Sequence, residues 1–474
     1  MSKIKSTFSA VKSKISLFTL MMISAALVIS VRNFSTEAET GMHMIFFALF
    51  AAIGFFIPVA LISAELATLL PKQGGIFAWI RAAFGEKFGF VGSWLQWTYM
   101  MIGSIPMLYF IGGSLAFVFL PALAHNKLFM LFIVLLVTWG TTLFNFRGLK
   151  ASGKVSTYGF LLGVLIPGAV IIVFGIIYWL TGHPIQMDLS LTTKNLIPDL
   201  SKLTTLVLLV GFMRTFTGIE VSAGHANEVK NPKRNYPLAI LFVVIAGLAL
   251  NILGSLAVAI VVPQQQISLA SGLMEAFRAF FGQFNLLWLI PILGILTAVG
   301  AIGEITTWTI GPVKGVYASA KTGALPRFFQ QENKKGIPTR LLFVQATVIS
   351  LIGCGLLFLP QLNTSFWMAN AIACCIYFFM YAMMILACLK LRYSMPNAKR
   401  AYTIPGGKFG IWIVSLVGLA TLTFGFIIAF LPPAQLHVVD TTTYLMLTIG
   451  GITTLLALPF IIFALRKKSG QTKQ

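Results

Sequence analysis

Charge is what this sequence has least of. Of its 474 residues only 10% are charged, and only 12 are Asp or Glu, whereas a soluble globular chain carries about 25% charged residues. That shortage excludes an ordinary soluble domain. The 58% hydrophobic content and a mean hydropathy of +0.90 point instead to an all-α integral membrane protein with ample material for a large helical bundle. Four cysteines, Cys354, Cys374, Cys375 and Cys388, fall within or at the ends of apolar runs and offer neither a disulfide framework nor metal spacing. The five histidines, at 43, 125, 183, 225 and 437, are scattered and form no metal constellation. No compact set of histidines and carboxylates is present either, so a membrane enzyme is not expected, and neither a cofactor nor a metal is implied.

Twelve apolar runs are each long enough for the roughly 20 residues of a spanning helix. They lie near 15–35, 42–70, 88–120, 128–146, 156–181, 203–223, 236–262, 284–320, 340–359, 365–390, 409–431 and 441–465. The interruptions between them are short and none is low-complexity. The net charge is +22, which taken alone would admit nucleic-acid binding, so the placement of the charges decides. The N-terminal stretch, the loops near 71–87, 147–155, 224–235, 321–340 and 390–408 and the C-terminal stretch hold 27 of the 34 Lys and Arg residues. The alternate loops hold only Arg32, Lys127, Lys194, Lys202 and Arg278. This positive-inside asymmetry predicts a multi-pass inner-membrane protein with both termini cytoplasmic, and it accounts for the basic charge with lipid rather than nucleic acid as the surroundings. Lys3, Lys5, Lys12 and Lys14 resemble the start of a signal peptide, but the following apolar segment is too long for one and should remain as the first helix.

Two charges sit where hydrocarbon is expected. The stretch GFMRTFTGIE (211–220) places Arg214 and Glu220 inside the sixth run, and each costs on the order of 2.5–3.5 kcal/mol at mid-membrane. On a continuous helix six residues separate the side chains by roughly 120° and about 9 Å, too far for direct pairing. Unwinding near Thr215–Gly218 would change that geometry, because Gly218 tolerates unusual dihedrals and irregular backbone at this depth is accepted when it lines a cavity. The first run contains SVRNFST (30–36) and the sixth FMRTFTG (212–218), both reading Arg-x-Phe-Ser/Thr. They lie where two inverted repeats of five helices would each place a broken helix.

At this point the sequence resembles a known family. LISAELATLLPKQGGIFAWIRAAFG (61–85), GIEVSAGHANEVKNPKRNYPLAI (218–240) and EITTWTIGPVKGVYASAKTGALP (304–326) are similar to amino acid–polyamine–organocation transporters. With FIPVALISAEL (56–66), SIPMLYF (104–110) and TLFNFRGLKASG (142–153), the pattern looks most like the glutamate:GABA antiporter branch. The resemblance implies a five-plus-five inverted-repeat core with broken helices one and six. It divides the chain into a tail at 1–14, a ten-helix transport core at 15–408, two additional helices at 409–465 and a tail at 466–474. It implies sodium-independent exchange of small-molecule amino acids or their decarboxylation products; arginine/agmatine-type exchange or a proton-coupled permease is the alternative. A channel is the third class, and it should show a continuous polar stripe instead of two isolated breaks. In the superfamily the first break carries a Gly-Ser/Thr-Gly signature, and here the place reads Val28-Ile29-Ser30. Ile29 and Ser30 at that break, and Phe216 and Gly218 at the sixth-helix break, are candidate substrate-site positions. Glu220, Glu304, Trp308, Tyr377 and Tyr381 carry over from the branch.

The residues also speak for themselves. Tyr377 and Tyr381, four apart, share one helix face and suit either a polar path or a membrane-interface belt. Glu304 lies deep in the eighth run, about 15 Å along a helix from Lys314 and so not its direct partner. Glu304 and Glu220 are candidates for proton sensing. Trp308, one turn from Glu304, caps a pocket or simply packs. Arg32 either faces the substrate path or pairs with Glu37 or Glu39 at the outer surface. Arg214 either meets a substrate carboxylate, bidentate as guanidinium allows, or neutralises Glu220 across the unwound turn. Glu65 is expected in an ion pair at the cytoplasmic end of span two, and His225, Asn227 and Glu228 in loop anchoring.

Overall fold

A computed structural model of the protein describes residues 16–70, 75–201, 203–223, 229–356, 362–431 and 441–466. The expected tail at 1–14, all of the expected tail at 466–474 but its first residue, and the loop residues His225, Asn227 and Glu228 lie outside the described residues. Nine helices among the described residues are long and apolar enough to cross a membrane. The other three spans expected from sequence are the broken spans one and six and the shorter span nine, Thr339–Leu356.

Span one runs as Leu17–Val28, its first turn capped by the Ser16 hydroxyl accepting from the Thr19 amide, 3.2 Å away. At Ile29 the backbone turns extended (φ −91°, ψ 122°), and helix resumes as Asn33–Ala38. Span six runs as Leu208–Thr215, opens at Phe216–Gly218 and resumes as Ile219–Ala223. Gly218 sits at φ +107°, and a Cβ there would lie 2.5 Å from the Trp308 indole. Backbone conformation and close approach therefore both demand glycine. Both breaks fall where the Arg-x-Phe motifs placed them.

The element order then repeats. After span one come span two (Met44–Leu69, with a π-helical turn at Ala52–Phe56), a short helix Ile76–Phe84, span three (Glu86–Phe119), span four (Lys127–Asn145) and span five (Leu149–Leu180). After span six come span seven (Pro232–Val261), a short helix Gly272–Gln283, span eight (Ile290–Lys321), span nine and span ten (Leu362–Ser394). Five spans is an odd number, so the second set starts from the opposite face: this is the five-plus-five inverted arrangement. Spans eleven (Gly407–Ile428) and twelve (Thr441–Leu465) follow. The two short helices occupy stretches that read as interruptions in the sequence. Each sits at the same place in its repeat.

Glycine sets a very close contact between spans five and eight. Span five widens into a π-helical turn at Leu161–Leu165, and inside it Gly163 faces Gly300 of span eight. A Cβ on Gly163 would lie 2.3 Å from the Leu296 carbonyl oxygen, and one on Gly300 would lie 2.6 Å from the Gly163 carbonyl oxygen. Small residues allow such backbone approach where no hydrophobic effect drives association in lipid. At the end of the bundle bearing the basic loops, Glu65 accepts from Arg392 at 2.8 Å and from the Ile404 amide at 2.9 Å, with Arg400 at 3.4 Å. The expected ion pair of Glu65 is therefore present, with two arginines. It fastens the chain after span ten to span two.

Gly163→Ala should lower the melting temperature of the detergent-purified protein by several degrees, since overpacking costs about 1–3 kcal/mol. Gly140→Ala, at a helical position with no atom within 4 Å of the added carbon, should leave it unchanged or slightly raised. Equal melting temperatures for both variants and the parent would contradict the close approach.

Candidate functional site

The two breaks border one narrow cleft. Span one contributes Arg32, just past its break. Span six contributes Arg214, in the last turn before its own, and Thr217 within it. Spans three and eight close the sides with Tyr99, Gly103, Glu304 and Trp308. The rest of the wall is apolar, with Leu27, Met100 and Met107 among it. Thr217, within the break of span six, thus lines a cavity, one of the settings in which irregular backbone is tolerated at membrane depth.

The charges are held by specific partners. Arg32 is 6% exposed and its Nη2 lies 3.5 Å from the Glu304 carboxylate. Arg214 is 8% exposed and donates from Nη2 to the Gly103 carbonyl oxygen at 2.8 Å. Thr217 donates to the Arg214 carbonyl and shares a 2.8 Å hydrogen bond with the Tyr99 hydroxyl. Glu304 therefore pairs with Arg32, and Lys314, six positions past Trp308, is exposed.

Beyond Trp308 lies a second polar layer, nearer the basic-loop end. Glu220 accepts from the hydroxyls of Tyr377 and Tyr381, the latter at 2.7 Å, and from the Gln96 amide at 3.2 Å. The Tyr381 oxygen also accepts the Gly218 amide at 3.1 Å. Tyr99 joins the layers: it lines the cleft and stacks on Tyr377 with ring centroids 3.8 Å apart. Trp308 does the same from span eight, packed on Gly218 and 5.7 Å from the Tyr99 ring.

Four of the sequence candidates, Arg32, Arg214, Glu304 and Trp308, meet in the cleft wall. Gly218, Glu220, Tyr377 and Tyr381 meet in the layer beneath. Tyr377 and Tyr381 point inward to Glu220, not to a membrane-interface belt. Ile29, Ser30 and Phe216 are buried at the breaks but do not form part of the cleft wall; Phe216 packs on Phe56 of span two, with centroids 5.1 Å apart. Two alternatives weighed for the arginines are corrected. Arg32 does not pair with Glu37 or Glu39 at an outer surface: it is buried against Glu304, and Glu37, 1% exposed, accepts from Thr215 at 3.0 Å and Ser255 at 3.3 Å. Arg214 does not neutralise Glu220, because the intervening break sends the two side chains to different layers. Tyr99, Gln96, Thr217 and Glu37 were missed as site residues. Gln96 had a signal, an amide inside an otherwise apolar run.

Comparison with known proteins supplies the family. A family model described as amino acid permease matches residues 15–452. An uncharacterised transporter of Legionella pneumophila is 36% identical over 450 residues, covering 95% of this chain and 96% of the relative. A glutamate/gamma-aminobutyrate antiporter of Lactococcus lactis is 35% identical over 462 residues, covering 96% and 92%. A probable agmatine/putrescine antiporter of the same species is 24% identical over 457 residues, covering 93% of each. With broken spans one and six around a charged cleft, and matches running through nearly the whole chain, this multi-pass membrane protein belongs to the amino acid permease family.

Proposed function

We propose that the protein is a secondary amino-acid antiporter working by alternating access, exchanging an acidic amino acid such as glutamate for GABA or a related decarboxylation product. The observation that supports this most is the cleft between the two breaks, where two arginines face one glutamate. The relative at 35% identity, whose name states glutamate and gamma-aminobutyrate, supplies the pair. Arginine/agmatine-type exchange fits less well, because a cationic substrate would meet two guanidinium groups in a desolvated space.

Residues 15–408 serve in this reading as the transport core, with the helices of 409–465 added outside it. The 27 basic residues of one set of loops and terminal stretches support the reading with both termini in the cytoplasm. The Glu220 layer then lies between the cleft and the cytoplasm. It is built of a few hydrogen bonds on one carboxylate, contacts that can part and re-form as spans one and six pivot at their breaks. Arg32, Arg214, Glu304 and Trp308 meet the substrate. Gly218, Glu220, Tyr377 and Tyr381 govern its release, and Ile29, Ser30 and Phe216 form the pivots.

Two outcomes are expected in liposomes holding the purified protein. Vesicles preloaded with GABA should take up labelled glutamate several times faster than empty ones, since exchange needs substrate on both sides; equal uptake for every amino acid tested would rule out an antiporter. Glu220→Gln removes the charge that both tyrosines and Gln96 hold, and hydrogen bonds to charged groups contribute about 1.5–3 kcal/mol each. Its initial exchange rate should fall about tenfold or more with an unchanged melting profile. A parental rate would remove Glu220 from the transport cycle.

A further inference from the structure

We propose that Arg32 and Arg214 form one anion subsite that takes the second carboxylate of the substrate, the group by which an acidic amino acid differs from its amide and from its decarboxylation product. The proposal rests on the reading of the cleft as the substrate site and adds to it which end of the substrate is recognised, and by what.

The two guanidinium groups line the same cleft, one beside each helix break, and both are more than nine-tenths buried. Among the described residues Glu304 makes its ion pair with Arg32 and none with Arg214. The two carboxylates that could have neutralised Arg214 from its own neighbourhood are committed elsewhere among the described residues: Glu220 to Tyr377, Tyr381 and Gln96, and Glu37 to Thr215 and Ser255. The cleft thus holds two positive charges against one negative. A buried charge without a counter-charge is costly, and an incoming anion supplies it.

The hydrogen-bond inventory agrees. Arg32 uses Nη2 toward Glu304 and Arg214 uses Nη2 toward the Gly103 carbonyl. The Nε–H of each is buried and has no acceptor among the described residues. A carboxylate offers two oxygens with about four lone-pair sites, enough to take one donor edge from each arginine. The apolar wall from Leu27, Met100 and Met107 suits the methylene chain of the same substrate. A neutral amide in place of the carboxylate would present its NH₂ to a guanidinium donor and leave the excess charge uncompensated. Discrimination of glutamate from glutamine, two side chains of nearly equal shape, therefore falls to these two arginines as specificity-determining residues.

The test is competition in liposomes at neutral pH, scored as the ratio of the glutamine to the glutamate concentration that halves uptake of labelled glutamate. The parent should show a ratio of about ten or more, the value of a hydrogen-bonded charge. Arg32→Gln and Arg214→Gln should each bring the ratio down severalfold toward one. The double variant should lose less than the product of the two single losses, because one carboxylate serves both. Glu304→Gln removes the counter-ion that competes for Arg32 and should move the ratio the other way. Arg214→Lys, which keeps the charge but not the planar fork, should retain part of the preference and guards against a folding defect in the glutamine variant. A parental ratio in both arginine variants, or loss of all transport that Arg214→Lys does not recover, would assign the arginines to helix packing and overturn the proposal. If the parent exchanges no amino acid at all, the antiporter reading fails by itself; binding of glutamate against glutamine to the detergent-purified protein then decides the subsite, and equal affinities overturn it.

Discussion

A backbone amide in hydrocarbon has no water to turn to, so a transmembrane helix can be interrupted only where another group takes its place as partner. In span six that partner is a phenol. The Tyr381 oxygen accepts the Gly218 amide and its hydrogen goes to Glu220, so one side chain serves both the irregular backbone and the nearest buried carboxylate. Tyr381 belongs to span ten, the last helix of the second repeat. The break therefore depends on the finished bundle, and the bundle in turn is what encloses the cleft that the break requires.

The same dependence holds for the charges. Among the described residues each buried ionic group of the site has a polar partner, which for Arg214 is the Gly103 carbonyl and not a counter-charge. Arg32 needs Glu304 from span eight, and Glu220 needs donors from spans three and ten. Glu37, past the first break, ties the end of the first half of span six to span seven through Thr215 and Ser255. The contacts of Arg32 with Glu304, of Gln96 with Glu220 and of Glu37 with Thr215 and Ser255 cross between the two repeats, as does the close glycine contact of spans five and eight; the tyrosine contacts of Glu220 stay within the second. Polar links thus gather at the breaks, and tight backbone packing lies away from them.

Much of this was legible in the sequence, for reasons that can be stated. Helix length is fixed by the membrane, so the twelve apolar runs gave the spans to within a few residues at most ends; span five begins earlier than its run, at Leu149, because polar residues there still continue the helix. A glycine beside a charge in an apolar run exposed the sixth break, and the six-residue spacing of Arg214 and Glu220 correctly argued against a direct pair on a continuous helix. The two short helices were not legible. Ile76–Phe84 and Gly272–Gln283 carry Arg81, Glu275 and Arg278, too polar for spans and too short to stand out from a loop. The Arg32–Glu304 pair was missed because its partners come from different repeats, and nothing local in either run names the other. Glu37 looked like an outer-surface residue because it follows a break; its burial comes from spans six and seven folding over it.

The lopsided spread of lysine and arginine has a consequence beyond topology. The face carrying the loops near 147–155, 321–340 and 390–408 surrounds one approach to the cleft with positive potential, and the opposite face has almost none of it. Such a field acts over about a Debye length, roughly 8 Å at physiological ionic strength, and raises the local concentration of small anions while depleting small cations. In the alternating-access cycle proposed above, the two sides to which the cleft opens would therefore be kinetically unequal: an anion would meet the basic side more often than its bulk concentration implies, and linger there when it leaves, whereas a neutral zwitterion would encounter both sides alike. Salt would narrow that inequality without touching a single contact inside the bundle.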